Sequence, residues 1–182
     1  MWKEKFAKIQ EEIARTLQGL EVKKLEKVKE LLLSHKRVFL YGEGRTGLIA
    51  KTFGIRLIQL GKDVFFVGES LTPSFTSQDL LIGMSGRGKS KKLLLLFEKA
   101  KEELKGTTLL ITGNPNTAIK NFCDELLIIP NSVKSLKKDV SIQPLNSLFE
   151  QSLFFLLDTI ILVLVQDCGL TEVDLLKRHA NL

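Results

Sequence analysis

Gly83-Met84-Ser85-Gly86-Arg87-Gly88-Lys89-Ser90 decides the reading of this chain, because it sets small residues between an apolar run and the start of a cationic helical pattern. Residues 79–84 read as a short buried strand, and residues 91–104 repeat apolar and charged side chains at helical spacing. Where a strand turns into a helix over glycines, backbone N–H groups, serine hydroxyls and the positive end of the helix dipole converge on one point. The expected occupant is an anion, and a phosphate fits.

A second loop of the same kind lies upstream. Gly42-Glu43-Gly44-Arg45-Thr46-Gly47 follows the apolar residues 38–41 and satisfies G-x-G-x-x-G, with Glu69 closing the next apolar run as a candidate ribose acid. The central stretch also satisfies the P-loop pattern G-x-x-x-x-G-K-[ST] through Gly83, Gly88, Lys89 and Ser90. A P-loop protein needs a metal-binding acid at the end of a later strand. The apolar runs after Ser90 end in Thr112-Gly113 and at Pro130 without one, and Asp158 falls inside a helical pattern. A dinucleotide site leaves the second loop unexplained and lacks a hydride-transfer partner, and Glu69 serves equally as a solvated carboxylate at a strand end. A phosphate site built from both loops accounts for more of the sequence.

Working outward, residues 37–41, 64–67, 79–84, 107–112 and 125–129 are β-rich runs. Helical patterns occupy 46–60, closed by Gly61 as a C-cap, then 91–104, 117–122, a long stretch from Pro144 to about Asp167, and a short one from Thr171. Residues 70–78, with Thr72-Pro73-Ser74, form a turn-rich connection. Alternation of strand and helix means parallel strands, right-handed crossovers and helices on both faces. The expected fold is therefore α/β: a three-layer sandwich around a five-stranded parallel sheet in flavodoxin-like order 2-1-3-4-5, with a helical N-terminus. In that order strands one and three are neighbours whose crossovers depart in opposite directions, so both glycine loops face one crevice at their carboxyl ends.

Residues 1–182 read as one domain. Within it, residues 1–35 form two amphipathic helices, with Phe6, Ile9, Ile13 and Leu17, then Val22, Leu25, Val28 and Leu32, covering the core or a neighbouring subunit. Residues 131–143, with Lys134, Lys137 and Lys138, are either a lid or a mobile connection. His35 reads as a surface residue at the end of the sheet away from the crevice.

The net charge of +6 is spread over helix faces where lysines alternate with Glu4, Glu11, Glu12, Glu21, Glu26 and Glu30, a solvated pattern without the stacking aromatics of a nucleic-acid site. Cys123 and Cys168 lack metal-ligand spacing, so no metal site or disulfide framework is expected, and a reducing cytoplasm fits. The charged start, Met1-Trp2-Lys3-Glu4-Lys5, reads as having no signal peptide. Residues 153–165 are too short for a membrane span, contain Asp158 and read as a buried helix.

The segments VFLYGEGRTG (38–47), RLIQLGKDVFFVGESLTPS (56–74), DLLIGMSGRGKS (79–90), PLNSLFEQ (144–151) and LLKRHANL (175–182), in this order and spacing, resemble the sugar isomerase (SIS) domain family. They are most similar to its 6-phospho-3-hexuloisomerase branch. The resemblance implies conversion of D-arabino-hex-3-ulose 6-phosphate to fructose 6-phosphate in the ribulose monophosphate pathway, with no redox cofactor and no metal. It implies a phosphate held by Ser85, Gly86, Arg87 and Ser90 with help from Thr46, substrate contacts at Gly42, Gly44 and Arg45, and a catalytic Glu150. In related domains a histidine enters from an adjacent subunit, a role that maps to His179. A homo-oligomer, dimer or tetramer, with shared active sites is then expected.

Two positions depart from the usual pattern. Arg87 stands where a serine is common, and either adds a charge-assisted contact or points outward. Asn146 stands where a glycine is more usual. Glu150, at a helix start, is placed to interact with the helix dipole, but beside two anion loops it is also placed to carry a proton from C2 to C3 of a ketose through an enediol. His179 is either a frayed terminal side chain or that neighbouring-subunit group. A non-catalytic sugar-phosphate regulator is the alternative reading, although 182 residues leave little room for an output domain.

Overall fold

In the computed structural model, which describes residues 1–133 and 141–181, the five β-rich runs form one all-parallel sheet. Its strands are β1 (Arg37–Gly42), β2 (Asp63–Phe66), β3 (Leu80–Ser85), β4 (Thr107–Thr112) and β5 (Glu125–Ile128), in the order β2-β1-β3-β4-β5. The expected topology is therefore the observed one, with strand ends shifted by at most one residue. The helices are α1 (Trp2–Gln18), α2 (Val22–Ser34), α3 (Gly44–Gln59), α4 (Lys91–Glu98), α5 (Ser147–Asp167) and α6 (Glu172–Leu176).

The two-residue alternation of the strands divides the core in two. Val38 and Leu40 of β1, with Leu80, Ile82 and Met84 of β3, point to the face covered by α2, α3 and α5. Phe39 and Tyr41, with Leu81, point to the opposite face and pack on Leu93 and Phe97 of α4 and on Ile119. Because all these strands are covered on both faces, they read as continuous apolar runs.

Two expectations are corrected by packing, and a third, the buried long helix, is borne out. The pattern over 91–104 is α-helical only to Glu98, after which Lys99–Glu103 form a single π-helical turn. His35 is half-buried: its ring bonds the Leu31 carbonyl at 2.9 Å and the Thr107 hydroxyl at 3.1 Å, tying the end of α2 to the start of β4. The long helix spans 21 residues, which by length and composition is enough to cross a membrane. As expected from the sequence, however, Phe149, Leu153, Leu156, Leu157, Ile160, Ile161 and Leu164 bury into the sheet-facing core, so it is a core helix of this fold.

Asp79, placed in the third strand from sequence, immediately precedes it. It is buried and accepts hydrogen bonds from the Thr76 N–H and hydroxyl, with Arg37 3.4 Å away. Of the connection over residues 131–143, the part that carries Lys134, Lys137 and Lys138 lies outside the described residues.

Candidate active site

β1 and β3 are hydrogen-bonded neighbours, with Gly42 opposite Met84, so the two glycine loops leave the sheet side by side. From β1 the chain crosses through α3 to β2, and from β3 through α4 to β4. The crossovers diverge, and the crevice expected at such a switch point is present. It is a cleft of about 550 Å³ lined by Glu43 to Thr46, Met84 to Arg87, Lys89, Ser90, Asn146 and Glu150.

The central loop is wound on itself before it meets a ligand. The Ser85 hydroxyl accepts the Gly88 N–H at 3.2 Å, and Gly88 has a φ of +59°, a conformation that strongly favours glycine. Ser90 is the N-cap of α4, its Oγ accepting the Leu93 N–H at 3.1 Å. The Ser85 hydroxyl donates to no acceptor among the described residues, whereas the Ser90 hydroxyl stands within reach of the Tyr41 phenol as well as of the cleft. Among the described residues, the N–H groups of Arg87, Lys89 and Ser90 bond no acceptor, and they lie at the positive end of the α4 dipole. The turn is braced from the connection after β4: the Asn114 side chain donates to the Arg87 carbonyl at 2.9 Å, and Thr117 Oγ1 donates to the Gly88 carbonyl at 2.6 Å. The Arg87 side chain is exposed at the cleft edge.

The first loop needs its glycines for contact. A Cβ on Gly47 would stand 2.5 Å from the Gly42 carbonyl oxygen, so α3 starts hard against the end of β1. That places Gly44, Arg45 and the buried Thr46 in the first turn of α3, on the cleft wall. Gly42 itself lies just behind the wall. Glu69, the candidate ribose acid, pairs on the surface with Lys51 at 2.7 Å and does not line the cleft.

Glu150 closes the other side from the first turn of α5. Its side chain is 13% exposed and receives the Arg45 guanidinium, Nε to Oε2, at 2.5 Å. These residues are 105 positions apart, and the pair links the two halves of the site. The start of α5 is in turn held from α1. Glu12, read from sequence as one charge of a solvated helix, is 2% exposed. Its carboxylate accepts from the Ser141 hydroxyl at 2.6 Å, the Ile142 N–H at 2.8 Å and the Gln143 amide at 3.1 Å. Burial alone pushes that carboxyl up, but the three donors outweigh it and hold it below the usual carboxylate value.

At the rim, Tyr41 donates to Glu43 at 2.8 Å, and burial together with that carboxylate pushes the phenol up to about 12. His179 does not join the cleft within one chain. It lies in a separate groove with Arg56, Gln59 and Asp158, and Asp158 is about 12 Å farther along α5 than Glu150 at the helical rise.

The SIS domain pattern matches residues 31–159, from the end of α2 through both glycine loops and Glu150. The chain belongs to the SIS domain family. The 3-hexulose-6-phosphate isomerase of Bacillus subtilis is 35% identical to it, over 98% of this chain and 97% of that protein. The protein of the same name from Methanocaldococcus jannaschii is 34% identical over 87% of this chain and 84% of its own length. A solved structure from Methanococcus jannaschii, from which a molecular function of 3-hexulose-6-phosphate isomerase was inferred, has a TM-score of 0.83 at 31% identity, covering 98% of this chain and 99% of that one.

Within this SIS fold the cleft gathers the candidates Thr46, Ser85, Gly86, Arg87, Ser90, Gly44, Arg45 and Glu150. It also contains Glu43, Lys89 and Asn146, which were not singled out as site residues from sequence. Glu43 and Lys89 sit inside the quoted motifs, so position within a loop was the available signal. Glu12 had none, because its partners lie about 130 residues away. Among the described residues no group of three or more His, Cys, Asp or Glu side chains is arranged to hold a metal ion.

Proposed function

We propose that this chain is a phosphosugar isomerase that interconverts D-arabino-hex-3-ulose 6-phosphate and fructose 6-phosphate, the isomerase step of the ribulose monophosphate pathway. The observation that carries the reading is one cleft that faces an anion-binding helix start across from a carboxylate, Glu150, paired with Arg45. The names and near-complete coverage of the relatives support the substrate class.

In this reading the 6-phosphate sits on the hydroxyls of Ser85, Ser90 and Thr46 and on the free N–H groups of the α4 loop, with Arg87 and Lys89 supplying charge. That grip fixes the acyclic sugar so that C2 and C3 meet Glu150. The carboxylate takes the C2 proton, the C–H electron pair forms the C2–C3 double bond as the C3 carbonyl becomes an enediolate oxygen, a proton passes from the C2 hydroxyl to that oxygen, and the same carboxyl group returns its proton to C3 as the C2 carbonyl forms. Arg45, already beside Glu150, donates to the developing oxyanion. A placed general base contributes on the order of 10²- to 10⁴-fold.

His179 is proposed to act in the cleft of a neighbouring subunit. The helix faces near its groove leave Ile55, Leu162 and Val163 exposed, and symmetric association is the usual way to bury such surface. The proposed state is a dimer or tetramer in the cytoplasm. The test is an assay of the purified protein with the hexulose phosphate after exhaustive EDTA treatment and with no nucleotide added. Formation of fructose 6-phosphate is the expected result, and strict dependence on magnesium and ATP would overturn the reading.

A further inference from the structure

The cleft holds a carboxylate that the proposed chemistry leaves unused. Glu43 occupies the N-cap position of α3, from which a side chain ordinarily caps the first turn, yet it makes no cap hydrogen bond. It turns to the phenol of Tyr41, whose hydroxyl donates to Oε1 at 2.8 Å. Tyr41 is a rigid post. It is 3% exposed in the cluster with Phe39, Leu93 and Phe97, and the Lys92 ammonium stands 5.4 Å from its ring centroid.

Glu43 is otherwise an exposed side chain, so this contact is what fixes its direction. Among the described residues Oε2 accepts no hydrogen bond and no cation pairs with Glu43, while Arg45 is engaged by Glu150. A carboxylate held on one oxygen with the other free is a hydrogen-bond acceptor waiting for a donor. Sugar hydroxyls are such donors, and bonds to an ionised acceptor are the stronger kind.

The charge balance of the cleft points the same way. Arg45, Arg87 and Lys89 face Glu43 and Glu150, which leaves one net positive charge besides the helix dipole. That suits a single phosphoryl group. A second anionic group on the ligand would meet the Glu43 carboxylate at close range, where like charges repel.

We infer that Glu43 is a specificity-determining residue: held by Tyr41, its free carboxylate oxygen accepts a hydroxyl of a monophosphorylated sugar and disfavours ligands carrying a second anionic group. The inference rests on the sugar-phosphate reading of the cleft. It is tested by calorimetric titration of the wild-type chain, Glu43→Gln and Tyr41→Phe with fructose 6-phosphate and with 6-phosphogluconate, which keeps the phosphate and adds a carboxylate.

Wild type should prefer fructose 6-phosphate. Glu43→Gln keeps the shape and removes the charge, so it should weaken fructose 6-phosphate by roughly tenfold and tighten 6-phosphogluconate by a similar factor. Tyr41→Phe should shift both in the same directions by less, since it releases the carboxylate without removing it. Equal affinities for both ligands in wild type and Glu43→Gln would overturn the role of Glu43 and leave the sugar-phosphate reading standing. If wild type binds neither sugar phosphate, that reading falls and the inference falls with it.

Discussion

Ser90 shows how one side chain can carry two loads. Its Oγ caps α4 by accepting the Leu93 N–H, while its hydrogen can turn to the Tyr41 phenol or to a ligand in the cleft. Ser85→Ala and Ser90→Ala should each weaken fructose 6-phosphate binding by about 1.5–3 kcal/mol, as expected for a lost contact to a charged group. Ser90→Ala should in addition cost about 1 kcal/mol of stability through the lost cap. Titration paired with thermal unfolding separates the two, and unchanged affinity in both variants would place the phosphate elsewhere. For Glu150, the replacement Glu150→Gln keeps size and shape but cannot take up the C2 proton. Turnover should fall by about 10²-fold or more with binding retained. Near wild-type turnover would remove Glu150 as the base and favour another group in the cleft.

At the scale of elements, the site depends on where three helices begin. α3 begins against β1 because Gly42 and Gly47 can touch, α4 begins at its serine cap, and α5 begins where Glu12 of α1 gathers residues 141–143. The last of these is sensitive to pH. The folded protein holds the Glu12 carboxyl below its ordinary value of 4.5. Its contribution to stability is therefore complete above that value and lost as pH falls through the depressed one. Denaturant unfolding of wild type between about pH 6 and pH 3 should show this acid loss. Glu12→Gln should flatten it and cost about 1–3 kcal/mol at neutral pH, because an amide N–H₂ would face donors. An identical acid limb in both proteins would argue against the clasp.

For the whole molecule, the question is whether one chain contains a complete site. His179 lies in the Asp158 groove, away from Glu150 of its own chain. Mixing Glu150→Gln with His179→Ala under conditions of subunit exchange should restore part of the activity, since a mixed oligomer can hold one site with both wild-type groups. Full activity of His179→Ala alone, or no recovery in oligomers shown to be mixed, would rule out a shared site.

Sheet order and the position of the crevice were legible in the amino-acid sequence. Both follow from local signals: apolar runs of strand length, helical spacing between them, and glycines at two strand-to-helix turns, which only a parallel sheet with a switch point between β1 and β3 satisfies together. Glu150 as a candidate came from the family resemblance, since a carboxylate at a helix start is by itself ordinary. How these parts meet depends on packing between elements far apart in the chain. Arg45 pairs with Glu150 across 105 residues, and Glu12 is buried among hydrogen-bond donors rather than solvated. Glu43 leaves its cap position for Tyr41, and His35 is half-buried between α2 and β4. The physical reason is common to all four. A charged or polar side chain has the same local pattern whether it meets water or a partner, and its partner is chosen by the packing of elements distant in sequence.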